Sequence, residues 1–119
     1  ESLTRDHSWV QNMIDLGFYS ERRARLSPRR NQLLRALGVS ADLEVDLTTH
    51  TLQAGDRYLL CSDGLNGMLD EVHIAMLLGA AGPPEERARW LVDAANDNGG
   101  RDNVTVAIAD VSNADLAIA

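Results

Sequence analysis

Two aspartates carry the chemistry that this sequence offers. Asp63 closes the apolar run Tyr58-Leu59-Leu60-Cys61-Ser62 and is followed by Gly64-Leu65, while Asp102 stands between Gly99-Gly100-Arg101 and Asn103-Val104-Thr105-Val106. In each case a carboxylate sits at the end of a β-prone run with glycine nearby, so a strand can deliver it to a place where the backbone crowds a ligand. Oxygen donors fixed on strand ends suit Mg²⁺ or Mn²⁺, small cations that keep several waters and need only a few carboxylates. The long separation between positions 63 and 102 excludes a local loop site such as an EF-hand, and the fold must bring the two together. Taken alone, the same patterns also describe turn residues that hydrogen-bond their own backbone.

The elements that would position these residues can be read from caps and periodicity. Arg57 to Ser62, with its unbroken Tyr-Leu-Leu-Cys run, suits a central strand covered on both faces, with Cys61 as a small buried hydrophobe. Val104, Val106 and Ile108 alternate with Thr105, Ala107 and Ala109 in a last strand, and Leu43, Val45 and Leu47 alternate with Glu44, Asp46 and Thr48 in another that has one wet face. Ser8 to Leu16 carries apolar residues at helical spacing and stops at Gly17; Ser20 caps a second short helix that ends before Pro28, making a helical hairpin. Asn31 to Leu37 reads equally as a helical turn or a strand. Asp70 caps a helix over Glu71 to Leu78 that Gly79 ends, and Pro83-Pro84 opens a longer one with Ala88, Leu91, Val92 and Ala95 as its core stripe and Gly99-Gly100 at its close. Ser112 to Ala119 reads as a tail.

Composition sets the outer limits. At 119 residues and 45% hydrophobic the chain can bury one core. A formal charge of −7 disfavours nucleic acid or an anionic membrane as partner. Against that balance Arg22, Arg23, Arg25, Arg29, Arg30 and Arg35 cluster in one stretch, either a solvated surface or a patch for phosphorylated or acidic protein segments. The single cysteine excludes an internal disulfide, and neither a signal peptide nor an apolar run of membrane-spanning length is present, so a cytoplasmic address without membrane insertion is expected. His7, His50 and His73 do not recur at metal-ligand spacing; Asp6 or Ser8 beside His7 reads as a helix cap.

The runs Gly55-Asp56-Arg57-Tyr58-Leu59-Leu60-Cys61-Ser62-Asp63-Gly64-Leu65 and Gly99-Gly100-Arg101-Asp102-Asn103-Val104-Thr105-Val106 resemble the last two sequence motifs of the metal-dependent protein serine/threonine phosphatases of the PP2C (PPM) type. Leu3-Thr4-Arg5-Asp6-His7-Ser8, Arg30-Asn31 and Arg35-Ala36-Leu37-Gly38 are similar to the preceding segment of bacterial members. The resemblance runs in order from about Leu3 to Val111. It implies an α+β fold, part of a four-layer αββα sandwich of antiparallel sheets and flanking helices, with the stretch from Ser8 to Gly38 as the family's flap. It also implies a binuclear Mn²⁺ or Mg²⁺ centre with Asp63 and Asp102 as metal ligands, at which a metal-activated water hydrolyses phosphoserine or phosphothreonine on proteins. Gly64 and Asn103 would support the ligands, the Asn103 amide holding the Asp102 loop in place. Arg22, Arg23 and Arg25 on the flap are candidates for substrate recognition, and no general acid is assigned. The implied partner is a phosphorylated protein, a serine/threonine kinase or one of its targets.

The family's earlier Asp-Asn and Asp-Gly-x-Gly-Gly segments are not matched, since the one Asp-Gly pair here is Asp63-Gly64. The 119 residues therefore read as the C-terminal half of such a domain, expected to be inactive alone and to self-associate through uncovered edges. Two other readings are a pseudophosphatase or regulatory binding module, and a partner-switching phosphatase of the same fold. The length of the flap-like stretch argues against the latter.

Overall fold

The computed structural model describes residues 1–116, which divide into two units, one spanning Glu1–Thr48 and one from Thr49 onward. In the first, the Ser8 hydroxyl accepts the Gln11 N–H at 3.2 Å and starts helix α1 (Trp9–Asp15); Ser20 does the same for Arg23 at 3.3 Å and starts α2 (Glu21–Arg25). Ser8, not Asp6, is thus the cap. Helices this short do not persist on their own local hydrogen bonds. Ring contacts hold them: Trp9 meets Tyr19 edge to face at 5.6 Å, and the guanidinium groups of Arg23 and Arg29 lie over Tyr19 and Trp9 at 4.2 and 4.9 Å.

The stretch from Asn31 to Leu37 becomes neither helix nor strand. It makes a single antiparallel bridge, Ser8 to Leu33, with Trp9 N–H bonded to the Gln32 carbonyl at 2.9 Å and Leu34 N–H to that of His7 at 2.7 Å. The strand expected over Leu43, Val45 and Leu47 is not formed, and Leu47 is 92% exposed. Alternation specifies which side chains share a face but supplies no neighbour to complete the ladder, and among the described residues this segment has none. It is held instead through its polar positions. Arg35 pairs with Glu44 at 2.8 Å and Asp46 at 3.0 Å, and His7 Nε2 lies 3.0 Å from Asp46.

The second unit is built on one antiparallel pair, β1 (Arg57–Cys61) with β2 (Val106–Asp110), in a register that runs from Arg57 opposite Asp110 to Cys61 opposite Val106. Between the strands come α3 (Asp63–Asn66), α4 (Glu71–Gly79) and α5 (Pro84–Asp97), all packed on the sheet or on one another; α6 (Asn113–Leu116) follows β2. Asp70 caps α4 by accepting the His73 N–H at 2.8 Å. Leu65, Leu69, Leu91 and Ala95 form the buried core, with Leu59, Val106 and Ile108 laid against it from the sheet. The fold is α+β, and of the expected sandwich one helix layer on one sheet is visible.

Several expectations need correction here. The run from Arg57 to Ser62 is covered on one face only: Leu59 packs on the core while Leu60, on the opposite face, is 67% exposed, and Cys61, on the Leu59 side at the end of the strand, is exposed as well. The last strand begins at Val106, not Val104. The reading of Ser112 to Ala119 as a tail misses the single turn of α6, in which the Asp115 carboxylate accepts both the Ser112 N–H at 2.8 Å and its hydroxyl at 2.7 Å; positions 117–119 lie outside the described residues.

Arg87 is the unexpected member of the α5 core stripe. It is fully buried, and its Nη1 donates to the Leu78 carbonyl at 3.0 Å while Nη2 pairs with the Asp110 carboxylate. Arg57 donates to the Leu78 and Ala80 carbonyls at 2.9 and 3.0 Å. Two arginines therefore satisfy the carbonyls that the last turn of α4 leaves without helical partners.

Candidate metal centre

Ser62 continues the β1–β2 ladder one step beyond the strands and then ties it shut. Its N–H donates to the Thr105 carbonyl at 2.9 Å; its hydroxyl accepts the Thr105 N–H at 3.0 Å and donates to the Asn103 carbonyl at 3.1 Å. Asp63 is the next residue, in the first turn of α3. Gly64, which follows, is buried against the opposite segment: a β-carbon there would lie 2.2 Å from the Asn103 carbonyl oxygen and 2.9 Å from its carbon. That spacing admits hydrogen and nothing larger. On the other side, α5 ends into Gly99 and Gly100, whose φ angles of 124° and 49° favour glycine, and Gly100 N–H reaches back to the Ala95 carbonyl at 3.2 Å. Asp102 emerges from this turn with Oδ1 accepting the Asn103 N–H at 2.7 Å.

The segments that carry Asp63 and Asp102 are therefore in contact at one end of the strand pair. Both aspartates are exposed, and among the described residues no ion pair engages either. Carboxylates that no ion pair engages offer oxygen donors of the kind that Mg²⁺ and Mn²⁺ take. Among the described residues no group of three His, Cys, Asp or Glu is assembled. Gly64 and Asn103 lie at the same spot. Asn103 acts through its backbone N–H and carbonyl, and among the described residues no bond involves its side-chain amide. Ser62 was missed by sequence reasoning; its signal is a hydroxyl directly between a strand and an Asp-Gly pair. Of the flap arginines, Arg22 and Arg23 line an open depression of about 470 Å³ in the first unit together with Tyr19, Ser20, Leu26, Ser27 and Pro28, and Arg25 does not. His7 and His73 are occupied by Asp46 and Asp70, and His50 is exposed.

No protein-family model matches the chain. Among curated proteins, the serine/threonine phosphatase Stp of Listeria monocytogenes is 41% identical over 108 residues, which are 91% of this chain and 43% of that protein. The serine/threonine protein phosphatase PstP of Mycobacterium tuberculosis is 42% identical over 111 residues, 92% of this chain and 21% of its own length. Among solved structures, Stp1 from Staphylococcus aureus superposes with a TM-score of 0.90 at 32% identity over 94% of this chain and 44% of that one. The catalytic domain of PstP in complex with 2 manganese ions does so with a TM-score of 0.82 at 37% identity, over 93% of this chain and 45% of that one. The chain thus spans less than half the length of the curated relatives it matches.

Proposed function

Since the chain belongs to the PP2C-type (PPM) family of bacterial serine/threonine phosphatases, we propose that it supplies two ligands, Asp63 and Asp102, to a binuclear Mn²⁺ or Mg²⁺ centre that hydrolyses phosphoserine and phosphothreonine on proteins. The observation that carries this reading is the seating of Gly64 on the Asn103 carbonyl, which sets the two aspartate-bearing segments side by side. In this reading Ser62 and the Asn103 N–H fix the backbone around the ligands, and Asp63 and Asp102 hold the cations. When bound, the cations would supply an activated water and neutralise charge on the phosphoryl oxygens. The remaining ligands come from residues outside positions 1–119. A cytoplasmic enzyme that opposes a serine/threonine kinase completes the proposal, supported by the flap-like first unit.

The test is Mn²⁺-dependent phosphate release from a phosphothreonine peptide by the complete catalytic domain, with Asp63→Asn and Asp102→Asn, alongside calorimetric titration of Mn²⁺ into each. Loss of an outer support typically costs about 10- to 100-fold in affinity or activity, so loss of a true ligand should exceed roughly 100-fold in both readouts. Undiminished Mn²⁺ affinity in both variants would sink the assignment.

A further inference from the structure

All 11 basic residues of the chain are arginine, and five of them, Arg22, Arg23, Arg25, Arg29 and Arg30, crowd beside one acidic neighbour, Glu21, in a chain whose net charge is −7. Among the described residues, ion pairs engage Arg5, Arg35 and Arg87 but none of these five. Two of the five lie over aromatic rings, Arg23 on Tyr19 and Arg29 on Trp9. A guanidinium laid on a ring keeps its charge and the N–H donors along its edge, so the stack fixes the group in place without using up its fork for a carboxylate. Arg22 and Arg23 share the 470 Å³ depression with apolar surface from Tyr19, Leu26 and Pro28, and Leu26 is 75% exposed. The face thus offers cationic forks around an apolar floor.

The geometry points to a docking site for an extended acidic peptide segment that carries an apolar side chain between its carboxylates. Such a segment would belong to a protein substrate and would bind without any phosphate. The word substrate rests on the phosphatase reading above; the binding does not. Charge decides between this occupant and a nucleic acid. The basic island is local, while screening at physiological salt acts over about 8 Å. A short peptide stays within the island, but a polyanion running past it enters the field of a chain that is negative overall. Arginine in place of lysine also favours the planar two-oxygen recognition of carboxylates.

Fluorescence anisotropy with a labelled, unphosphorylated peptide of Glu and Asp flanking a Leu tests the site, beside its Gln and Asn counterpart and a single-stranded oligonucleotide of matched charge. The acidic peptide should bind tightest, weaken as salt rises, lose at least about tenfold in affinity on Arg22→Glu and severalfold on Leu26→Ser, and lose an intermediate amount on Arg22→Lys, which keeps the charge but not the fork. Arg22 and Leu26 are exposed, so these changes leave the packing of the first unit alone. Equal binding of the neutral peptide or the oligonucleotide, or indifference to Arg22→Glu, would overturn the proposal. The titration needs neither metal nor turnover, so a failure of Mn²⁺-dependent hydrolysis would count against the phosphatase reading alone.

Discussion

A methyl group at position 64 would press on the Asn103 carbonyl oxygen at 2.2 Å, and the atoms it would meet, the Asn103 carbonyl and the Val104 Cα, are all backbone that cannot rotate aside. Gly64→Ala should therefore cost about 1–3 kcal/mol, seen as a lower Tm, and push the Asp63 and Asp102 segments apart, seen as weaker Mn²⁺ binding in the complete domain. An unchanged Tm together with unchanged Mn²⁺ affinity would show that the two segments give way freely. That Asp63 and Gly64 stand just past a strand was legible in the sequence because the apolar run before them marks the strand locally. Ser62 was not, since a serine after a strand looks like any solvated turn residue until its bonds to Asn103 and Thr105 close across the fold. Arg87 was hidden for a related reason. Arginine is almost never fully buried unless paired, and both of its partners, the Leu78 carbonyl and Asp110, lie on other elements.

At the scale of elements, Arg87 joins α5 to the end of α4 and to β2. The two halves of its ion pair are unequal, because Arg87 is fully buried while the Asp110 side chain is 38% exposed. Asp110→Ala strands a buried cation and should cost about 3 kcal/mol; Arg87→Met leaves a carboxylate that water can reach and should cost less. Chemical denaturation of the two variants checks the order, and the reverse order would refute the argument. Helix α1 carries its own acid sensitivity. Asp15, at its C-terminal end, has its carboxyl lowered from the ordinary 3.8 by the hydrogen bond from the Gln11 side chain first and that from Arg5 second. A lowered folded value means stabilisation that is fully present above the ordinary value and is lost as pH falls through the lowered one. Amide exchange of α1 should accordingly quicken from about pH 4 downward, and Asp15→Asn should remove that limb; an identical acid profile in the variant would exclude Asp15 as its origin. The helices were readable because caps and stripes are local. The segment from Leu43 to Leu47 was misread because a strand also needs a partner, which periodicity does not report.

For the molecule as a whole, the sheet face that carries Leu60 is exposed, and β1 and β2 have only each other as strand neighbours among the described residues. Positions 1–119 expressed by themselves should bind Mn²⁺ weakly, release no phosphate from a phosphothreonine peptide and self-associate, whereas a version extended to the full length of its relatives should do the opposite on all three counts. Equal activity of the two would mean that the site needs no further ligands. One feature of the second unit links its chemistry to its folding. Strands β1 and β2 are neighbours in space but are separated in the chain by α3, α4 and α5, so the ladder that Ser62 closes is a long-range contact whose loop-closure entropy is met only once those helices have collapsed onto it. The segments that carry the two aspartates are thus side by side only in chains that have already completed the second unit. Partly folded forms hold them apart, and any gain from binding a cation there falls to the native topology alone.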